Sequence, residues 1–184
     1  LKQAVRWRLL SSNPADAVEP PVPEQKEMMA LDDDQTATLI KHAEGRPLYI
    51  PLLLAVTTGM RRGEVLALRW SDVDLDRASL SVTQTLEKTR QGGLRFKQPK
   101  TKKSRRSISL PSVLVDALRR HRADQAELYL SLGTGWKEQG LVCSKLTGEP
   151  VNPDTLTSGF KSFVKNLDIP RVRFHDLRHT HATQ

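Results

Sequence analysis

Near the C-terminal end of the 184-residue sequence, seven consecutive residues concentrate functional side chains: His175-Asp176-Leu177-Arg178-His179-Thr180-His181. Three chemistries compete for them. As a metal site, His175 and His179 at i, i+4 on a helix could both ligate zinc, with Asp176 a loose counterpart of the glutamate in H-E-x-x-H. Against zinc, aspartate is one methylene shorter than glutamate, Arg178 sets a cation beside the ion, and no strong third ligand follows. As structure alone, one core histidine would be unremarkable, but three histidines and an arginine so close together weaken that reading. As a phosphate site, His175 and Arg178 at i, i+3 share a face with Leu177 turned inward. That pair suits proton transfer and clamping of a phosphodiester.

Two further clusters carry chemistry. In Thr57-Thr58-Gly59-Met60-Arg61-Arg62-Gly63-Glu64 a glycine stop lets the following helix present arginine beside an apolar segment. Taken singly, Arg61 and Glu64 at i, i+3 make an ordinary surface ion pair worth a few tenths of a kcal/mol. Pro99-Lys100-Thr101 lies just before Lys102-Lys103-Ser104-Arg105-Arg106. A lysine on a hairpin tip can deliver a proton, but by itself it is more often a charge set against phosphate.

Charge placement sharpens the choice. Nine of the 29 Lys and Arg residues fall between Lys88 and Arg106, a stretch with no acid, although the formal net charge of the whole sequence is only +8. Outside that run the chain is close to neutral. A block this dense repels itself unless a polyanion or solvent screens it. A solvated loop is the plain reading. Because the run lies within a hairpin pattern and not in a tail, contact with nucleic-acid phosphates is the stronger one. Lys97, Lys102, Lys103, Arg105 and Arg106 are the candidate DNA contacts. The 38% hydrophobic and 27% charged composition suits a folded, soluble protein. Cys143 is the single cysteine, which excludes an internal disulfide framework and multi-cysteine zinc sites. The longest nearly apolar stretch, Pro47 to Val56, is too short to cross a bilayer. No signal peptide is visible, so a cytoplasmic location is expected, with no membrane partner.

The elements that position these residues follow from pattern and punctuation. Residues 1–12 read as the end of a helix, stopped at Asn13-Pro14 and followed by a stiff extended linker at Val18 to Pro23. The main domain is expected over residues 24–184. Helices are expected over Asp33–Glu44, Pro47–Thr58, Arg61–Leu68, Pro111–Leu130 and from Asn152-Pro153 to about Asn166, with a last one starting around His175. Trp70 to Asp76 reads as a turn. Ser79–Leu86, Gly93–Gln98 and Arg105–Leu110 are strand candidates, with Gly92-Gly93 turning between the first two. The sum is a mainly helical α+β domain holding a small antiparallel sheet of three strands.

Taken together, Arg61, Lys100, His175 and Arg178 carry a specific resemblance. T-G-M-R-R-G-E-V-L-A-L-R-W-S-D-V-D, from Thr58 to Asp74, resembles the first conserved box of the tyrosine recombinases, the phage integrase family. P-K-T-K-K-S-R-R-S-I-S-L-P, from Pro99 to Pro111, resembles that family's lysine-bearing hairpin, and H-D-L-R-H-T-H-A-T from His175 resembles the start of its second box. Order and spacing match from about Leu31 to Gln184. The resemblance implies that residues 1–23 are the last helix of a preceding core-binding domain and its linker. It makes Arg61 and Arg178 two guanidiniums on the scissile phosphate, Lys100 the general acid and His175 an aid to proton movement or phosphate positioning. Glu64 would support the site, and His179 would pack or bond locally.

The neighbouring Lys97, Lys102 and Lys103 should depress the pKa of Lys100. The implied reaction is transesterification of DNA through a 3′-phosphotyrosyl link, with no metal or other cofactor, double-stranded DNA as partner and self-assembly on it in the full-length parent. The nucleophilic tyrosine maps to neither Tyr49 nor Tyr129, so the numbered chain is expected to be a truncated catalytic domain that does not cleave DNA. A non-catalytic DNA-binding relative and, more remotely, a zinc hydrolase using His175 and His179 are the alternatives.

Overall fold

The computed structural model describes residues 1–19, 29–98 and 106–183. Its centre is helix α3 (Tyr49–Thr58), in which eight of ten residues are buried. This is the expected outcome for a segment with no polar stripe: it cannot offer a face to water and must be covered on all sides. The covering comes from α2 (Asp33–Ala43), α4 (Arg62–Ala67), α5 (Ser112–Leu132) and α7 (Leu177–Thr183), all packed against α3. Leu52, Leu54, Leu66, Leu118, Phe160 and Leu177 are each at most 1% exposed, and burying a side chain of this size contributes roughly 1.5–3 kcal/mol. Helix α6 (Pro153–Val164) starts at Asn152, whose side chain accepts the Asp154 N–H at 2.9 Å, and its Phe160 meets Phe174 edge to face.

Caps place the helix ends. Asp32 accepts the Gln35 N–H at 2.8 Å while the Gln35 side chain accepts the Asp32 N–H, a reciprocal box that opens α2. At the far end of α3, Gly59 takes φ +60 and turns the chain into α4.

The β structure is two pieces. Strands β1 (Val73–Asp74), β2 (Ser79–Val82) and β5 (Arg106–Ser109) form an antiparallel three-stranded sheet in the order β1-β2-β5, with Leu80 opposite Ile108 and Val82 opposite Arg106. Strands β3 (Thr85–Lys88) and β4 (Leu94–Lys97) form a separate hairpin, with Glu87 opposite Arg95.

The mainly helical domain with a small three-stranded antiparallel sheet agrees with the sequence reading. Its details differ in three places. Ser79–Leu86 is not one strand, because Thr83 turns its hydroxyl to the Asp72 carboxylate and Gln84 donates to the Ala67 carbonyl, breaking the ladder between β2 and β3. The stretch read as a turn, Trp70 to Asp76, supplies β1 after a short 3-10 turn. The first helix covers only Lys2–Arg6 and buries nothing, with Arg8 in the left-handed region at φ 58. Among the described residues, no helix is long and apolar enough to cross a membrane.

Candidate active site

The second box is held in shape by its own acid. The Asp176 carboxylate, 4% exposed, accepts the Arg173 backbone N–H at 2.7 Å and two guanidinium nitrogens of Arg173 at 2.8–3.2 Å. Burial alone would push this carboxyl up; the hydrogen bonds from Arg173 outweigh it and hold it below its ordinary value of 3.8. The clamp fixes the 3-10 turn Phe174–Asp176 from which α7 continues. Thr180, fully buried, accepts the Leu31 N–H at 3.1 Å, and Leu177 enters the core. With those two residues turned inward, His175 is left exposed and Arg178 half-buried.

Arg178 reaches across to the first box. Its Nη1 donates to the carbonyl oxygen of Gly59, 119 positions earlier. The His181 ring lies over the same glycine so closely that a Cβ there would sit 2.6 Å from the ring carbon Cδ2. Gly59 thus has two reasons to lack a side chain, its left-handed backbone and this approach. Arg61 follows two residues later with a side chain 60% exposed, so the two predicted guanidiniums are rooted at one turn. His175 and His179 stack edge to face with ring centroids 5.8 Å apart.

Glu64 organises the first box. Only 8% exposed, it accepts the Arg61 N–H at 2.9 Å, Arg61 Nη1 at 3.1 Å, and both terminal nitrogens of Arg106 at 3.1 and 2.7 Å. Burial raises its pKa, and the bonds from Arg106 and Arg61 more than offset this, leaving it below its ordinary 4.5. Sequence reasoning set Arg106 among the DNA contacts; here its guanidinium forms a two-pronged bond to a carboxylate inside the protein.

The hairpin stands against α4 by a backbone approach. A Cβ on Gly63 would fall 2.7 Å from the Leu86 carbonyl oxygen and 2.4 Å from Thr85 Oγ1. Lys88 bonds Asp154 of α6 at 2.7 Å, and Arg62 donates to the Pro153 carbonyl and the Thr157 hydroxyl of the same helix. Lys97 and Arg95 both bond Glu87 on the neighbouring strand. Lys100, Lys102, Lys103 and Arg105 lie outside the described residues. The Arg173–Asp176 clamp, the Arg62 link and the Gly63 approach escaped sequence reading. Of these residues only Asp176 carries a role there, as a loose counterpart of the glutamate in H-E-x-x-H and not as the partner of Arg173.

Among the described residues no group of three His, Cys, Asp or Glu side chains is placed to hold a metal. Cys143 is buried, and burial pushes its thiol up to about 12, away from the reactive thiolate.

The sequence profile of the phage integrase family matches residues 29–184. The chain belongs to that family. A tyrosine recombinase XerC-like protein of Caldanaerobacter subterraneus subsp. tengcongensis is 31% identical over 98% of this chain and 51% of its own length. The ICEBs1 integrase of Bacillus subtilis is 29% identical over 97% of this chain and 49% of its own. The chain thus spans about half the length of these curated relatives.

Among solved structures, the Tn1549 transposon integrase in complex with transposon right end DNA superposes with a TM-score of 0.74 at 20% identity, covering 94% of this chain and 56% of that one. A lambda integrase tetramer bound to a Holliday junction gives 0.59 at 19% identity, covering 99% and 49%. At these identities the likeness is one of fold, and it is the tyrosine recombinase fold that the phage integrase family shares.

Proposed function

We propose that this chain supplies the phosphate-binding cations of a site-specific DNA recombinase, which in the complete protein breaks and rejoins double-stranded DNA through a 3′-phosphotyrosyl intermediate. The observation that carries this is the bond from Arg178 to the Gly59 carbonyl, which roots the second-box guanidinium at the turn holding Arg61. A phosphodiester gains negative charge as it becomes five-coordinate, and fixed cations stabilise that state more than the ground state. Arg61 and Arg178 offer paired N–H donors to the non-bridging oxygens. The tyrosine oxygen forms a bond to phosphorus as the 5′ oxygen leaves, and Lys100 gives that oxygen its proton. His175 assists proton movement on the tyrosine side. Attack by the 5′ hydroxyl of a second strand reverses the step, and the covalent link keeps the bond energy for it.

Neither tyrosine of this chain suits the nucleophile. Tyr49 opens α3, so ten residues of helix, about 15 Å, separate it from Gly59, and it lines an apolar groove of about 1140 Å³ at that opposite end. Tyr129, on α5, packs edge-on against Trp136 beyond the end of that helix. The nucleophile is therefore expected from outside these 184 residues, and the chain alone should not cleave DNA. The lambda integrase tetramer on a Holliday junction supports assembly on DNA for the complete protein as well.

The test uses the longer protein with its nucleophile. Arg178→Ala is expected to abolish the detergent-stable DNA adduct on a nicked duplex, and an adduct at the unsubstituted level would overturn the assignment. The 184-residue chain, mixed with the same duplex, should bind it and form no adduct.

A further inference from the structure

The Glu64 carboxylate is shared between two guanidiniums, and the sharing is unequal. Arg106 holds it with a fork of two bonds, while Arg61 gives it one side-chain bond and its backbone N–H. Four donors fill the roughly four lone-pair sites of a carboxylate. Exposure follows the same order, with Arg106 at 32% and Arg61 at 60%.

We propose that Arg106 is a positioning residue for Arg61 rather than a contact to DNA phosphate. By occupying Glu64 through its fork, it leaves the Arg61 guanidinium tethered by one N–H and cationic toward an incoming phosphate. The charges carry the logic: two guanidiniums and one carboxylate leave the cluster at +1. Without Arg106, the buried carboxylate closes on Arg61, cancels it, and a DNA phosphate must compete with an internal anion held in a poorly solvated place. Arg106 can do this because it begins β5, whose pairing opposite Val82 of β2 sets its side chain over α4. The inference rests on the reading of Arg61 as a phosphate ligand, so its test needs one arm that does not involve DNA.

That arm is the rate at which phenylglyoxal modifies Arg61, followed by peptide mass spectrometry in this chain. Arg106→Gln should slow modification of Arg61 by about threefold or more, because a guanidinium in a two-pronged ion pair is shielded, and adding Glu64→Gln should restore the rate. An unchanged Arg61 rate in Arg106→Gln overturns the proposal whether or not the chain binds DNA.

The second arm is affinity for duplex DNA. Arg106→Gln is expected to weaken binding by about three- to tenfold, and Glu64→Gln should raise affinity several-fold more in that background than in the unsubstituted chain. Additive effects of the two substitutions would overturn the proposal. Arg106→Lys keeps the charge and loses the fork, so it covers the case in which the glutamine variant folds poorly. It too should lose affinity and slow Arg61 modification, whereas normal behaviour in both would mark Arg106 as a simple phosphate contact. Failure of the unsubstituted chain to bind DNA would overturn the proposed function and leave the modification arm to decide this inference.

Discussion

A carboxylate can set the direction of its neighbours' side chains, and Asp176 does so by fixing the turn from which His175 and Arg178 project. Its value follows from where it sits, buried and accepting from the backbone and guanidinium N–H groups of Arg173. Folding depresses its pKa, so the folded state binds the proton less readily than the unfolded one. The stabilisation is then complete above the ordinary value of 3.8 and is lost as pH falls through the lower folded value. Glu64 acts in the same direction from its ordinary 4.5. Asp176→Asn should therefore cost about 1–3 kcal/mol near neutral pH, since the buried amide meets the same donors with an N–H of its own. The gap to the unsubstituted chain should narrow as pH drops below about 4. Urea unfolding at several pH values reads this directly, and a gap still undiminished near pH 3 would show that the charge of Asp176 is not what matters.

Among the elements, α4 and the β3–β4 hairpin meet backbone to backbone, and Gly63 permits it. Gly63→Ala would press a methyl on the Leu86 carbonyl, which belongs to a paired strand and cannot swing aside, so a loss of about 1–3 kcal/mol in thermal or urea stability is expected. The sequence could announce the helix beginning near Arg61 and the strands around Gly92, because glycine stops and alternation are local signals. It could not announce that Gly63 of the first box touches Leu86, because close approach is a property of two elements at once.

The hairpin also shows how a charge run misleads. Glu87 stands one residue before the acid-free stretch, yet strand pairing sets it opposite Arg95 and within bonding distance of Lys97. If this hairpin lies along DNA, Glu87→Gln should free both cations, tighten duplex binding about two- to threefold and steepen its salt dependence. An affinity unmoved by that change would place the β3–β4 hairpin off the DNA.

At the scale of the molecule, the order of the boxes was legible because each contains a dense, unusual set of side chains, and the fold class followed from the spacing of helices and strands between them. What escaped was the pairing of charges across elements. In the folded chain Lys88 meets Asp154, Arg95 and Lys97 meet Glu87, and Arg106 meets Glu64. A linear count treats these basic residues as free charges, and folding gives each of them a carboxylate partner. A cation already matched by a carboxylate must give up that partner to reach a phosphate, so it releases fewer counterions on binding than one matched only by salt. The salt dependence of duplex binding reads this difference as a slope. Removing Lys102 and Lys103 together should flatten the log–log slope by about 1.8, near 0.9 for each phosphate that no longer meets a cation. Lys97→Ala should flatten it by clearly less than about 0.9, because Glu87 stays behind and pairs more fully with Arg95. Equal flattening per residue would mean that the ion pairs of the hairpin dissolve entirely on DNA. No flattening from Lys102 and Lys103 would move the electrostatic footprint away from the basic run altogether.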